Sequence, residues 1–366
     1  MNYMIAGGGT GGHIFPAVAI GEAIREKVDD AQILFVGTNY GMEKELIPKL
    51  GYPLLTLPVR GLVGKGLGAK LALLWRLPVS FILCLWLLLR YRPKVVIGVG
   101  GYASAPLLVT AALLRVPTMI QEQNAFPGLS NRVGARLARL ACCGFAEAAP
   151  RLRCPAVVTG NPVRGSFKQR ETWSKDRTTL LILGGSQGAR ALNEKLPGLL
   201  KQALDADQGI RVIHQCGRNH QSAVEQAYAQ VPFPVRVTPF IEDVGAAMNQ
   251  ALLVICRSGA STIGELKMLG VPAILIPFPA AAHDHQTFNA RSLVEQGAGF
   301  LLPENELDGA LEKLRELLGN RENLAQMAAA YPVPSGNSAA TCAEIALALQ
   351  NKTEVSELVH HYSLVP

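Results

Sequence analysis

The chain has 366 residues, 49% of them hydrophobic and 17% charged, a balance that fits two folded domains of ordinary size and excludes disorder, collagen and coiled coil. Its formal net charge of +7 favours anionic partners, whether nucleic acid, nucleotide phosphates or an anionic membrane surface. Only 6% of residues are aromatic and no basic stretch is interleaved with them, so a nucleic-acid partner is the least favoured of the three. Seven cysteines, an odd number without framework spacing, read as buried thiols of a reducing compartment. The N-terminus enters a glycine-rich turn with no charged-then-apolar leader, which predicts a cytoplasmic protein.

The first expected strand, residues 3–6, runs into Gly7-Gly8-Gly9-Thr10-Gly11-Gly12-His13. Gly7, Gly9 and Gly12 satisfy G-x-G-x-x-G, so a dinucleotide oxidoreductase has to be weighed. Such a site needs an acid about 20 residues on, at the end of the second strand, to bond a ribose hydroxyl. The second expected strand, 33–36, leads into Gly37-Thr38-Asn39 with no carboxylate at its end, which argues against a nicotinamide cofactor. The turn itself has other uses. Pro16 suits a first helical turn, and Gly11 and Gly12 let a ligand approach the backbone. His13 is of the residue type that takes a proton from a sugar hydroxyl near neutral pH, and equally of the type that caps its own helix.

Residues 71–89, LALLWRLPVSFILCLWLLL, are interrupted by Arg76 and Pro78. The unbroken part supplies roughly half of the ~20 apolar residues a spanning helix needs. A helix packed on a sheet is expected instead, with Phe81, Trp86 and Leu87 facing a bilayer surface. Lys65, Lys70, Arg76, Arg90, Arg92 and Lys94 flank the run, where anionic headgroups would lie. Strands are expected next at 94–97, 118–120 and 157–159.

Gly160-Asn161-Pro162-Val163-Arg164 and the polar stretch 168–178 mark a domain boundary. Strands follow at 180–183, 211–214, 235–237, 252–255 and 273–276. Strands separated by helix-length stretches imply βαβ units, and ten of them are too many for one compact sheet. The fold class expected is therefore α/β, with two Rossmann-like domains facing across a cleft and ligands at the carboxyl ends of the strands. Gly184-Gly185-Ser186-Gln187-Gly188 opens a helix whose N–H groups can hold phosphate oxygens, and Arg257-Ser258-Gly259-Ala260-Ser261-Thr262-Ile263-Gly264-Glu265 repeats that design. Glu265 can take both hydroxyls of a ribose or complement the helix dipole, and position does not choose between them. His283-Asp284-His285-Gln286 invites a metal, but the spacing of its ligands fits no common metal pattern. Gln286 and Asn289, three apart on a helix, would face one side with amides suited to sugar hydroxyls.

GGTGGH at 8–13, GGYAS at 100–104, EQN at 122–124, GNPVR at 160–164, GGSQGA at 184–189 and CRSGA at 256–260 occur in this order. The ordered set resembles the peptidoglycan N-acetylglucosaminyltransferases of the MurG family, over residues 3–345. The resemblance implies the two-domain GT-B fold and inverting transfer of N-acetylglucosamine from UDP-N-acetylglucosamine to the C4 hydroxyl of the N-acetylmuramyl residue of lipid I. Lipid I is undecaprenyl-pyrophosphoryl-MurNAc-pentapeptide, and the product, lipid II, is the peptidoglycan precursor. Residues 1–162 are implied as the acceptor and membrane-associating domain, 163–340 as the donor domain, and 341–366 as a terminal helix and tail. For the donor, Ser186 and the backbone of Ser258, Gly259, Ala260, Ser261 and Thr262 are implied to hold the diphosphate, with Ile263 and Gly264 also in the UDP-N-acetylglucosamine site. Ile241 is implied beside the uracil, Glu265 on the ribose and Gln286 and Asn289 on the sugar. Asn124 and Arg164 would border the donor from the cleft. For lipid I the resemblance implies the turn at Thr10, Gly11, Gly12 and His13, its first three residues shared with the donor, and the loop holding Gly100, Gly101 and Tyr102. His13 matches the family's proposed general base. No metal or other cofactor is implied, and the enzyme would sit peripherally on the cytoplasmic face of the inner membrane. Transfer to another acceptor, a UDP-sugar epimerase and a nucleotide-binding regulator are the rival functions.

Overall fold

The computed structural model describes residues 1–59, 67–163, 167, 170–185, 187–332 and 337–363, except for the side chains of 67–74 and 282. The chain divides into two compact units, Met1–Arg164 with Ser335–Pro366, and Gly165–Pro334. Each is built on a parallel sheet whose central strands are apolar on both faces, as burial between two helical layers requires.

Among the described residues, the first sheet runs β3-β2-β1-β4-β5-β6-β7. Its strands are β1 Asn2–Ala6, β2 Gln32–Thr38, β3 Leu54–Leu57, β4 Val96–Gly98, β5 Thr118–Glu122, β6 Leu140–Cys143 and β7 Ala156–Val158. The helices between them are α1 Gly11–Lys27, α2 Glu43–Lys49, α3 Leu67–Tyr91, α4 Ser104–Leu113 and α5 Leu129–Gly134. The second sheet runs β10-β9-β8-β11-β12-β13, with β8 Thr179–Leu183, β9 Arg211–Gln215, β10 Val235–Thr238, β11 Ala251–Cys256, β12 Ala273–Leu275 and β13 Gly299–Leu301. Its helices are α6 Arg190–Ala203, α7 Gln221–Ala227, α8 Val244–Asn249, α9 Ala260–Leu269, α10 His285–Val294, α11 Leu311–Gly319 and α12 Arg321–Ala329. Strand order reverses between β1 and β4, and again between β8 and β11. Connections leave such a point in opposite directions, so a crevice opens there at the carboxyl ends of the strands.

The remaining helices, α13 Ser338–Gln350 and α14 Val355–Ser363, correct the expected boundaries. From the sequence, residues up to 340 go with the second domain and 341–366 stand apart. In the structure both helices belong to the first unit. Cys342, Ala343, Ile345, Ala346 and Leu349 of α13 are buried in the same core as Ile14, Ala17 and Val18 of α1. The Tyr3 hydroxyl donates to Gln350 at 2.6 Å, tying the first strand to the last residue of α13.

Pro78 does not break α3, and the Ser80 hydroxyl donates to the Arg76 carbonyl at 2.7 Å beside it. Ser80, Cys84, Leu87 and Leu88 face inward, whereas Trp75, Ile82, Trp86 and Leu89 are 56%, 67%, 56% and 59% exposed. The expected outward set is thereby corrected. Leu87 lies one residue and about 100° around the helix from Trp86, which turns it into the core. Among the described residues, no helix is long and apolar enough to cross a membrane. The cysteines are free, and burial pushes the thiols of Cys84 and Cys143 up to about 12.

In the second unit a buried relay supports the first glycine turn. A Cβ on Gly217 would overlap the backbone nitrogen of Gly188, so the turns after β8 and β9 touch backbone to backbone. Asn193 of α6 fastens them, its amide donating to the Cys216 carbonyl at 2.9 Å. The Asn193 oxygen accepts from His214 Nε2 at 3.1 Å, and His214 Nδ1 accepts from the Tyr228 hydroxyl at 3.0 Å. His214 is wholly buried, and that burial lowers its pKa to about 4. An unfolded histidine binds its proton near pH 6.5, so the stability due to neutral His214 is complete above that pH. It is lost as pH falls toward 4, by at most about 3 kcal/mol. We therefore expect calorimetry to show melting temperature falling more steeply between pH 6.5 and 4.5 in the wild type than in His214→Gln. Parallel slopes would contradict the assignment.

Candidate active site

The reversal point of the first sheet gathers three of the sequence motifs. β1 ends at Ala6, and residues 7–10 lead into α1, whose N-cap Thr10 has extended backbone and no side-chain capping bond. The loop after β4 lies against this turn, with Gly101 so close that a Cβ there would stand 2.6 Å from the Gly8 carbonyl. Ser104, the buried first residue of α4, stitches them by donating to the Ala6 carbonyl at 2.6 Å and accepting from the Gly100 N–H at 3.2 Å. Tyr102 stands at the edge of this loop, 46% exposed.

His13 lies in the first turn of α1 with its ring over Gly100, and Nδ1 is 2.9 Å from the Gln123 side-chain oxygen. It bonds the end of β5 rather than capping its own helix. The Gln123 amide nitrogen donates to the Val99 carbonyl at 2.9 Å and also to the Gln121 side chain. Its oxygen is therefore the acceptor, His13 carries hydrogen on Nδ1, and the lone pair lies on Nε2. Asn161 extends this network, donating to the Gln123 carbonyl at 2.9 Å and accepting from Gln121 at 3.3 Å.

Two buried carboxylates that sequence reasoning passed over organise the surroundings. Glu122 accepts from the N–H of Asn124 at 2.9 Å, from the N–H of Gly128 at 3.1 Å and from the Asn131 amide at 2.9 Å, so it shapes the loop that presents Asn124. An acid ending the apolar strand TMIQE was the available signal. The second is Glu43. No carboxylate stands at the end of β2 in the sequence, but folding brings Glu43 back there, bonded to Thr38 and Gly9. The absence inferred from sequence is thus corrected, because a turn of four residues returns the chain to the strand end.

In the second unit, α6 and α9 follow β8 and β11, which are neighbours in the sheet. Neither helix has an acidic residue in its first turn or a side-chain cap, so their dipoles present partial positive charge unopposed. Among the described residues, the buried hydroxyl of Ser261, in the first turn of α9, has no hydrogen-bond partner. Ser258 is wholly buried, its hydroxyl donating to the Gln286 carbonyl at 2.8 Å and its carbonyl accepting from the Asn289 amide at 3.2 Å. Gln286 accepts from the Phe278 N–H at 2.9 Å. Gln286 and Asn289 thus both hold the turn that starts α9, and Asn289 is wholly buried there. Glu265 and Ile241 are half-buried, one in the second turn of α9 and the other in the loop after β10.

Arg257 is paired with Glu304, donates to the carbonyls of Ile276 and Pro277, and stacks 5.5 Å from the Phe278 ring centroid. A cavity of about 630 Å³ opens between Gly184, Gly188, Arg190, Lys195, Arg257 and Gln286, a volume within the usual range for a small-molecule site. Arg164 and Ser186 lie outside the described residues. Among the described residues, no group of three or more histidine, cysteine or acidic side chains is arranged to hold a metal. Asp284 instead accepts from the Thr287 hydroxyl at 2.6 Å.

Two parallel α/β units, each with bare-backbone turns at its reversal point, make up the architecture of the GT-B glycosyltransferases. Residues 3–142 match the glycosyltransferase family 28 N-terminal domain, and residues 179–344 match its C-terminal domain. The chain belongs to glycosyltransferase family 28, in its MurG branch. It is 43% identical over 334 residues to the UDP-N-acetylglucosamine–N-acetylmuramyl-(pentapeptide) pyrophosphoryl-undecaprenol N-acetylglucosamine transferase of Syntrophotalea carbinolica, a match covering 90% of this chain and 93% of that one. The crystal structure of Acinetobacter baumannii MurG superposes with a TM-score of 0.76 at 31% identity, covering 94% and 99% of the two chains. A putative UDP-N-acetylglucosamine 2-epimerase from Listeria monocytogenes shares the fold alone, with a TM-score of 0.66 at 14% identity and 96% of each chain covered.

Replacing Gln123 by Leu removes the acceptor of the His13 Nδ1 proton. Steady-state assays of Gln123→Leu should show turnover lowered about tenfold or more, with UDP affinity unchanged. Unaltered turnover would mean that this contact does not orient the ring.

Proposed function

We propose that this chain transfers N-acetylglucosamine from UDP-N-acetylglucosamine to the C4 hydroxyl of the N-acetylmuramyl residue of lipid I, inverting the anomeric carbon and giving lipid II. The observation that carries the reading is His13, whose ring is held through Nδ1 so that Nε2 keeps its lone pair beside an uncapped helix start. Kinship supports it, since relatives over nine-tenths of the chain bear the name of this transferase.

The second unit takes the donor. The helix starts of α6 and α9 receive the diphosphate, with Ser186 and the backbone from Ser258 through Gly264 around it. Glu265 bonds the ribose, Ile241 lies against the uracil, and Gln286 addresses the sugar. Asn289 acts through the carbonyl of Ser258, and Asn124 and Arg164 are assigned to the donor as well. In the first unit Thr10, Gly11, Gly12, Gly100, Gly101 and Tyr102 hold lipid I. His13 Nε2 takes the proton of the muramyl hydroxyl as its oxygen bonds the anomeric carbon. The bond from that carbon to the diphosphate oxygen breaks with its electron pair, and UDP leaves. Helix dipoles and N–H groups aimed at this oxygen stabilise the charge it gains, a role that elsewhere falls to a metal.

A lipid-linked acceptor requires the enzyme at a membrane. The exposed stripe Trp75, Ile82, Trp86 and Leu89 on α3, with exposed Arg90, Arg92 and Lys94 at its end, suits peripheral attachment to an anionic bilayer. The protein then works on the cytoplasmic face of the inner membrane, where the nucleotide sugar is found.

Labelled UDP-N-acetylglucosamine incubated with a lipid I analogue should yield a labelled disaccharide-lipid, and its absence would refute the reading. His13→Ala should lower turnover by roughly 10²–10⁴ while leaving UDP affinity nearly unchanged. An equal loss of UDP binding would make the histidine structural. For the membrane face, joint replacement of Ile82, Trp86 and Leu89 by serine should abolish sedimentation with anionic vesicles at an almost constant melting temperature. Retained sedimentation would exclude that stripe.

A further inference from the structure

In a dinucleotide-binding fold the acid at the end of the second strand bonds a ribose. Here the acid in that place is used on the protein itself. Glu43, the first residue of α2, is 1% exposed. Its Oε1 accepts the Thr38 N–H at 2.9 Å and the Thr38 hydroxyl at 2.7 Å, and its Oε2 accepts the Gly9 N–H at 2.8 Å. Both oxygens are therefore committed, and these three donors meet a charge that burial would otherwise make costly.

The surroundings are cut to fit this carboxylate. A Cβ on Gly8 or Gly41 would overlap it, and one on Gly37 would stand 2.7 Å from its Cγ. The far side of the turn is bare by contrast. Among the described residues a Cβ on Gly9 would meet nothing within 4 Å, and both Gly9 and Thr10 are exposed. Gly9 also has a φ of +94°, a conformation that favours glycine. Inward, Gly7 is tied to the Val36 carbonyl at 3.0 Å. The bond from Gly9 to Glu43, together with the packing of Gly101 on Gly8, restrains the tip between that anchor and the start of α1.

We propose that Glu43 is a positioning residue for the acceptor. It holds Gly9 so that the uncapped start of α1, and His13 within it, stand where the acceptor's pyrophosphate and hydroxyl must arrive. This rests on the acceptor occupying the first unit, as in the function proposed above. Thr38 provides the control, because it shares the carboxylate without touching the tip.

The full-length chain and its variants Glu43→Gln, Glu43→Asp and Thr38→Val can be compared by acceptor kinetics with a soluble lipid I analogue, by UDP titration calorimetry and by thermal melting. Glu43→Gln sets an amide donor against an N–H or hydroxyl donor. It should lower acceptor kcat/KM about 10- to 100-fold, mainly through KM, the loss expected of a hydrogen bond to a charged group. UDP affinity should stay within about twofold, since the donor binds the other unit. Glu43→Asp keeps the charge but is too short to span Thr38 and Gly9, so it should show the same acceptor defect. It decides the matter if Glu43→Gln does not fold. Thr38→Val should lose thermal stability yet keep acceptor kinetics close to the wild type. The proposal is overturned if Glu43 variants have normal acceptor kinetics, if Thr38→Val shares their defect, or if UDP binding falls in step. A wild type that forms no labelled product would sink the acceptor reading itself, whereas an active wild type with an unaffected Glu43→Gln sinks only the positioning role.

Discussion

A phosphate can reach the N–H groups of a helix start only where no side chain stands in the way. Both units meet that constraint alike. A central parallel strand ends in a glycine turn, and a neighbouring strand, β4 beside β1 in the first unit and β9 beside β8 in the second, ends in a second turn packed on it. At Gly8 and Gly101, and again at Gly188 and Gly217, the backbones approach so closely that one Cβ would force them apart. Helices α1, α6 and α9 then begin without a capping side chain or a first-turn acid. Their uncapped starts cost stability unless a ligand supplies the acceptor, which ties binding to the fold.

Turns made of glycine have no side chains with which to hold themselves, so buried polar groups behind them must do it. Ser104 and Glu43 serve the first turn and Gln123 holds His13 over it. Ser258, Gln286 and Asn289 lock the start of α9, and Asn193 with His214 fixes the turn before α6. On the proposed reading the phosphates are met largely by backbone, and the side chains behind it set geometry. Substitutions behind the surface should consequently show themselves in kinetics as readily as substitutions upon it.

Much of this was legible in the sequence. Runs of β-branched residues marked the central strands, glycine turns marked the reversal points, and the ordered motifs marked the branch of the family. What escaped did so for physical reasons. β6, LACC, has no β-branched residue, β3 lies between Pro53 and Pro58, and β13 is three residues long, so none stood out from its surroundings. Glu43 and α13 take their roles from tertiary contact, which spacing along a chain does not reveal. Leu87 was misplaced because an all-apolar run hides the helical period that separates its faces. The inward grip of Asn289 on Ser258 likewise depends on how α10 meets α9, beyond any rule about residues three apart.

Amide hydrogen exchange, followed with and without UDP-N-acetylglucosamine, reads the use of each helix start directly. Binding as described should slow exchange at residues 187–191 and at Ser261 and Thr262, while the turn before His13 stays unaffected until an acceptor analogue is added. Protection confined to residues 7–13, or no protection at either glycine turn of the second unit, would contradict the account.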